Sequence, residues 1–178
     1  MLNEKKSSLI PTFLIPHFRS NHAGETGAVF IYKGILTFSK DPEVRDFSHK
    51  HLTTESQHLE LIEKVLEKKY ISKLIFFWKF AGFLTGFIPA LLGKKFIYVT
   101  IYYVESFVEK HYSEQISLIG KKKDQIKIKQ MIYELMGDEI SHKNESLKKI
   151  AKFKLIHRIW GIFVTIGSKF AVAIAKKI

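Results

Sequence analysis

The sequence contains no cysteine and only four prolines among its 178 residues. The lack of cysteine excludes disulfide bonds, iron–sulfur clusters and thiolate zinc sites, and it is compatible with a reducing compartment. No alternation of apolar and polar residues rivals the helical spacing, and no low-complexity linker divides the chain. Residues Met1 to Pro11 lack the apolar core and cleavage pattern of a secretory signal. We therefore expect one all-α domain over residues 1–178, with residues 1–16 as a lead-in.

Acidic residues are scarce: 17 Asp and Glu stand against 29 Lys and Arg, which gives a net charge of +12. Such an excess favours an acidic partner surface, either nucleic acid or anionic lipid. The aromatic residues include 15 Phe, and many of them stand in apolar runs rather than between basic residues. We therefore predict that the chain binds an anionic membrane surface and does not bind nucleic acid.

Two stretches are apolar for most of their length, residues 74–92 and residues 155–178. The first is long enough to cross a bilayer. Its proline and its lysines equally suit a helix lying in the membrane interface. The second carries a basic tail, and for both a buried core helix is the third possibility. We predict that both are membrane-facing helices added to the main bundle.

The remaining apolar spacing predicts four amphipathic helices. Pro11 and Pro16 discourage a helix before Arg19, and Asp41-Pro42 is a typical helix start. Each helix has an apolar stripe that is interrupted by one glutamate. The predicted helices run over residues 19–39, 41–68, 95–119 and 124–150, with Gly120 and Asp124 forming the loop and cap before the last. The pattern indicates a four-helix bundle that turns four carboxylates inward.

Two of these glutamates belong to Glu-x-x-His motifs, Glu55–His58 and Glu139–His142. Residues three apart lie on one face of a helix, so both side chains of each motif can reach the same point. Each motif follows another carboxylate at a similar distance, since Glu25 precedes Glu55 by 30 residues and Glu105 precedes Glu139 by 34. This is the ligand pattern of carboxylate-bridged di-iron or di-manganese centres in four-helix bundles.

Electrostatics favours metal ions at these positions. Four carboxylates in a low-dielectric core repel one another strongly, and no Lys or Arg shares the stripe of Glu55. Two divalent cations would cancel the four charges, with His58 and His142 each giving one nitrogen. Oxygen-rich ligands with imidazole suit iron or manganese better than structural zinc. We predict that Glu55 and Glu139 bridge the metals. The alternative is four solvated glutamates that coincide with apolar stripes by accident.

Other polar residues allow two interpretations each. Tyr112 lies on the metal-facing stripe and either donates a hydrogen bond to a ligand or substrate or is an ordinary core tyrosine. Asp138 either orients the His142 ring or is solvated. For His49 and His51 we expect a surface or supporting position rather than metal ligation.

Several motifs resemble the demethoxyubiquinone hydroxylase family, from about Phe18 to the end of the chain. The most specific is the His-Ala-Gly-Glu block, which ends at Glu25. The others are Glu55-x-x-His58, Glu105 with His111-Tyr112, Asp138-Glu139-x-x-His142, and residues 90–94. The chain departs from the family at Ser106, where we expect an acidic residue in many relatives.

The resemblance implies a ferritin-like di-iron monooxygenase of ubiquinone biosynthesis. Its two iron ions would be held by Glu25, Glu55, His58, Glu105, Glu139 and His142. The family's His–Tyr pair would fall on His111 and Tyr112, as candidate catalytic residues outside the ligand set. The substrates would be a methoxylated polyprenyl benzoquinol (demethoxyubiquinol) and O2, with electrons from the quinol itself or from an external donor such as NADH.

The expected location is the cytoplasmic face of a bacterial inner membrane, as a peripheral protein that forms a homo-oligomer or joins a biosynthetic complex. One alternative is a ferritin-like ferroxidase or iron-handling protein without an organic substrate. Another is a basic, membrane-associated helical protein without enzymatic activity, in which the glutamates are incidental. The apolar stretches favour the membrane enzyme.

Overall fold

The computed structural model describes residues 10–120, 122 and 125–178, and in these residues all the regular structure is helical. The predicted all-α class is confirmed. Part of the predicted lead-in, residues 1–9, lies outside the described residues. The helices are α1 (Ile15–Phe38), α2 (Pro42–Val65), α3 (Ile75–Leu92), α4 (Lys94–Ile119), α5 (Ile126–Lys148) and α6 (Leu155–Ala175), with short 3-10 helices at Thr12–Leu14 and Lys68–Tyr70.

The helix boundaries follow local chemistry. The Asp41 carboxylate accepts hydrogen bonds from the backbone N–H groups of Glu43 and Val44 at 2.9 and 3.3 Å, so it caps α2 as predicted. The expected start of α1 at Arg19 is wrong, because the helix begins at Ile15 with proline in its first turn. A first-turn proline removes an N–H that has no partner within the helix anyway. The predicted cap of α5, Asp124, lies outside the described residues.

Helices α1 and α2 form one closely packed pair, and α4 and α5 form the other. The backbones of α2 and α5 approach each other much less closely than those of either pair. Two apolar clusters fill the two ends of the bundle. One contains Phe18, Ile62, Ile116, Ile132 and Leu135, and the other contains Tyr32, Ile35, Phe47, Ile101 and Ile150, each with further members. The middle of the bundle, between these clusters, is where the predicted ligands lie.

Helix α3 packs on α1 at very close range. A Cβ atom on Gly82 or Gly86 would overlap the backbone carbonyl of Gly27 or Ile31 on α1. The two helices therefore require glycine at these positions. Gly93 alone joins α3 to α4. Its φ of +106° is a conformation that residues other than glycine rarely adopt. This corner turns the chain from the outer helix back into the bundle.

Helices α3 and α6 lie on the outside of the bundle and expose apolar side chains. Both are long and apolar enough to cross a bilayer, by length and composition alone. In the most apolar 18-residue window of each helix, only 28% of the residues of α3 and 11% of those of α6 are buried inside the chain. Neither is therefore a core helix of this chain. The exposed side chains include Phe76, Phe77, Phe80, Leu91 and Leu92 of α3 and Leu155, Ile162, Phe163, Ile166 and Phe170 of α6. Exposed apolar surface of this extent is typical of an interaction surface.

Candidate metal centre

The six predicted ligands lie together in the middle of the bundle. Each of α1, α2, α4 and α5 contributes one carboxylate, and α2 and α5 each add a histidine. All six residues are buried, with no more than 5% of any of them exposed: Glu25, Glu55, His58, Glu105, Glu139 and His142. The sequence periodicity thus placed the right side chains inward, on four separate helices.

These residues form two overlapping groups of potential metal ligands. One ligand atom from each of Glu25, Glu55, His58 and Glu139 lies within 4.8 Å of the others. A second group with the same spacing is formed by Glu55, Glu105, Glu139 and His142. Glu55 and Glu139 belong to both groups. These are the two carboxylates for which bridging was predicted, and each group also has its own glutamate and histidine.

Several ligand atoms lie close together without hydrogen-bonding. His142 Nδ1 lies 3.0 Å from Glu55 Oε1 and 3.4 Å from Glu139 Oε2. All three atoms are buried, and none has a hydrogen-bond partner among the residues that the structure describes. Buried polar atoms of native proteins are nearly always paired. Unpaired acceptor-type atoms that converge on one point are the expected arrangement of ligands around a cation.

The charges of the centre are unfavourable without a cation. Burial raises the pKa of Glu25, and burial together with Glu139 and Glu55 raises that of Glu105 well above its ordinary value. Burial opposes protonation of His58, but hydrogen bonds to Glu139, Glu25 and Glu55 outweigh it and raise the pKa of this ring. Burial also opposes protonation of His142, but the adjacent Glu139 and Glu55 carboxylates raise its pKa to about 9. In the absence of metal the centre therefore retains protons, and metal ions would replace them.

The donor set fits two divalent ions. Four carboxylates with one imidazole per group supply mainly oxygen ligands, which suits iron or manganese better than a tetrahedral thiolate-type zinc site. The residues present therefore meet the requirements of a dinuclear centre.

Polar and aromatic groups outside the six residues contact the two histidines. Asp138 Oδ2 lies 3.1 Å from His58 Nε2, on the opposite side of the ring from the Nδ1 that faces Glu139. Of the two interpretations given for Asp138, orientation of the His142 ring is not what the structure shows: the side chain is 58% exposed, and its carboxylate reaches across to His58 on α2. His142 instead packs against the buried ring of His51, with the ring centroids 4.0 Å apart. His49 is exposed, as expected.

The predicted His–Tyr pair lies beside the centre rather than in it. The Tyr112 hydroxyl donates a short hydrogen bond to Glu25 Oε1, and this tyrosine is buried. His111 Nε2 lies 3.1 Å from the Ser20 hydroxyl, whose proton is donated to the His17 carbonyl. The Ser20 oxygen therefore accepts from Nε2, which leaves Nδ1 of His111 as the acceptor nitrogen. Burial lowers the pKa of His111 to about 3, so this ring is neutral.

A cavity of about 470 Å³ leads from the surface to the centre. Its walls come from α1, α3, α4 and α6, and they are mostly apolar. Its inner end is lined by Glu25, Glu55, Glu105, Glu139, His111 and Tyr112, and its outer part by Phe77, Ile88, Phe163 and Phe170. Gly24 also lines it, and a Cβ there would meet nothing within 4 Å. This glycine gives room in the cavity, whereas Gly27 lies where α3 approaches.

The sequence did not reveal one further pair beside the centre. Asn21 on α1 and Gln115 on α4 join their amide groups by two hydrogen bonds, each 2.8 Å long. Both residues are buried, but 94 positions separate them, so periodicity gives no sign of the pairing. Ser106, the predicted departure, donates its hydroxyl to the Tyr102 carbonyl of its own helix.

Known proteins resemble this chain over most of its length. Residues 13–175 match the model of the family described as Ubiquinone biosynthesis protein COQ7. The chain is 26% identical over 166 residues to the NADPH-dependent 3-demethoxyubiquinone 3-hydroxylase, mitochondrial, of Dictyostelium discoideum, which covers 90% of this chain and 75% of that protein. The protein of the same name from Caenorhabditis elegans is 26% identical over 164 residues, and the match covers 90% of this chain and 88% of that protein. The 3-demethoxyubiquinol 3-hydroxylase of Dechloromonas aromatica (strain RCB) is 24% identical over 135 residues, and the match covers 73% of this chain and 63% of that protein.

Proposed function

The chain belongs to the family described as Ubiquinone biosynthesis protein COQ7, and we propose that it hydroxylates a methoxylated polyprenyl benzoquinol, demethoxyubiquinol, with O2. The observation that carries the proposal is the convergence of six buried ligand-type residues at the inner end of an apolar cavity. An apolar substrate in this cavity would therefore lie next to the candidate metal centre. The names of the relatives are those of hydroxylases that act on this class of quinone.

We infer that the centre holds two iron ions in a ferritin-like bundle. Glu25 and His58 would bind one ion, Glu105 and His142 the other, and Glu55 with Glu139 would bridge them. The iron supplies the activation of O2, for which the side chains of the protein have no chemistry of their own. Asp138 would hold the His58 ring through Nε2, so that Nδ1 is directed at the ion.

The cavity would orient the substrate and exclude water. The apolar walls suit the polyprenyl tail, and the ring would lie at the inner end beside His111 and Tyr112. Because Nε2 of His111 pairs with Ser20 and the ring lines the cavity, its Nδ1 can accept a hydrogen bond from a quinol hydroxyl. Tyr112 would keep Glu25 in place through its hydrogen bond. These contacts present the unsubstituted ring carbon to the centre.

Hydroxylation uses one atom of O2 for the ring and releases the other as water, so it requires two electrons and two protons from outside. The chain has no dinucleotide-binding glycine motif after a strand. We propose a nicotinamide-linked external donor, in line with the NADPH-dependent relatives. The quinol itself is the alternative donor.

The exposed faces of α3 and α6 would lie in the surface of a membrane, where the quinol resides. The cavity lining reaches the exposed aromatic residues of both helices, so a lipid-soluble substrate could enter without crossing water. The net charge of +12 favours an anionic lipid surface. We propose a peripheral association with the cytoplasmic face of a bacterial inner membrane. An iron-storage function would need neither the apolar cavity nor these faces, and the relatives do not favour it.

The test is the quinone profile of a strain that lacks the gene. Complementation with the wild-type gene should restore ubiquinone, whereas Glu139→Ala should leave the demethoxy precursor in place. Glu134→Ala is the matched control, because Glu134 is an exposed glutamate on the same helix. Normal ubiquinone in the deletion strain, or full restoration by Glu139→Ala, would contradict the proposed function.

A further inference from the structure

Helices α1 and α4 face each other beside the candidate metal centre, but they are not a closely packed pair. Each packs mainly against other helices, α1 against α3 and α2, and α4 against α5 and α6. Close backbone packing therefore does not fix the distance between α1 and α4. The space between them contains the inner end of the cavity, whose shape depends on that distance.

Three side-chain contacts cross this space: Ser20 meets His111, Asn21 meets Gln115, and Glu25 meets Tyr112. The contact between Asn21 and Gln115 is reciprocal, because each amide donates one hydrogen bond and accepts one. Gln115 also donates to the His111 carbonyl at 3.3 Å, which ties the amide pair to the turn that carries the His–Tyr pair.

The reciprocal pair can fix the alignment of the two helices. Asn21 is 3% exposed and Gln115 is fully buried. If either helix slid along its axis or moved apart, two donors and two acceptors would be left unpaired in the interior, which is strongly unfavourable. An apolar pair of the same size has no such preference for one alignment.

Helical spacing connects this pair directly to the centre. Asn21 precedes Glu25 by four residues and Gln115 follows Tyr112 by three, so both neighbours lie on the same helix faces as the amides. We propose that Asn21 and Gln115 are positioning residues that hold Tyr112 against Glu25 by fixing the separation of α1 and α4. This role rests on the proposed function, since it matters only if Glu25 binds a metal ion and the cavity receives a substrate.

The test separates positioning from simple stability. In Asn21→Leu/Gln115→Met both amides are replaced by apolar groups of similar size, which leaves no unpaired partner and should change the urea midpoint of the chelated protein little. The affinity for Fe²⁺, titrated without oxygen, should nevertheless fall about 10–100-fold, as for other groups that orient metal ligands. The kcat for the quinol should fall with it, and KM should change less.

The exchange variant Asn21→Gln/Gln115→Asn should recover most of the Fe²⁺ affinity, because it restores two reciprocal hydrogen bonds. Thr100→Val is the matched control: it removes a partly buried hydrogen bond between α4 and α6, from Trp160 to the Thr100 hydroxyl, and it should lower stability without changing Fe²⁺ affinity. Wild-type Fe²⁺ affinity in Asn21→Leu/Gln115→Met would overturn the proposal. No recovery in a folded exchange variant would do the same, and if that variant does not fold, the apolar variant decides.

The failure of the proposed function is recognised separately. A wild-type protein that binds two Fe²⁺ ions but does not hydroxylate the quinol would refute the proposed reaction, and the titrations would still decide the role of the amide pair. A wild-type protein that does not bind Fe²⁺ would refute both.

Discussion

Replacing Glu105 by glutamine should change the stability of this protein in opposite directions with and without metal. Glu105 is 2% exposed, and glutamine keeps its size but cannot ionise. If the four carboxylates are buried because metal ions bind there, the metal-free protein should become more stable with one ionisable group fewer. The metal-loaded protein should become less stable because it loses a ligand.

The magnitude for the metal-free protein follows from the pKa of this carboxyl. Burial and the neighbouring Glu139 and Glu55 raise it well above 4.5, so the folded state holds a proton that the unfolded state has lost at neutral pH. The resulting penalty on folding grows from pH 4.5 upward until the raised pKa is reached. At pH 7 it has a ceiling of about 3.4 kcal/mol for one carboxyl. We expect chelated Glu105→Gln to be about 1–3 kcal/mol more stable than chelated wild type.

Metal binding adds stability only to the folded protein. At a free Fe²⁺ concentration of 100 times Kd, the gain is about 2.7 kcal/mol for one site. Loss of a direct ligand raises Kd, so the variant loses most of this gain at the same concentration. The order of stability should therefore reverse when Fe²⁺ is added.

The assay is urea unfolding at pH 7, followed by circular dichroism, once with a chelator and once with Fe²⁺ under anaerobic conditions. Glu114→Gln is the control, because Glu114 is an exposed glutamate on the same helix and should show no reversal. Chelated wild type that is as stable as chelated Glu105→Gln, or no stabilisation of wild type by Fe²⁺, would refute the reasoning.

Three further predictions concern the ligands, the surface and the packing. Fe²⁺ affinity should fall as pH is lowered from 9 to 6.5, because His142, with a pKa of about 9, then keeps the proton that the metal must displace. Anaerobic titrations at several pH values test this, and an affinity that does not change with pH would contradict it. Phe163→Asp should weaken flotation with anionic liposomes, whereas Tyr133→Asp, at an exposed position of α5, should not. Gly86→Ala should destabilise the protein by about 1–3 kcal/mol in urea unfolding, whereas Gly137→Ala, where a Cβ meets nothing within 4 Å, should leave stability unchanged or raise it.

The inward direction of the ligands could be predicted because it depends on local periodicity. Once α2 and α5 are helices with buried apolar stripes, a Glu-x-x-His on the stripe must point into the bundle. The same argument placed Glu25 and Glu105 and predicted their convergence, since four helices of a bundle have one common interior. The carboxylates shared by both groups, Glu55 and Glu139, could be singled out because each belongs to a Glu-x-x-His motif.

Contacts between helices could not be predicted in the same way. Asp138 is one residue from Glu139, and helical spacing linked it to His142, but its side chain reaches His58 on α2. That contact depends on the distance and rotation between two helices, which periodicity does not determine. The start of α1 was missed for a different reason. Pro16 was treated as a helix breaker, although proline is well tolerated in a first turn.

The centre lies at the place where the bundle is held together least by backbone packing. Its two Glu-x-x-His motifs stand on α2 and α5, which approach each other much less than either approaches its own partner. The six candidate ligand side chains occupy that space, and their burial is unfavourable without cations. The apolar clusters at both ends of the bundle must offset this cost, since they pair the helices independently of the centre. The chelated protein should therefore remain folded, unlike small domains whose folding depends on a structural metal, and the loss of metal should affect chiefly the alignment of side chains between the clusters.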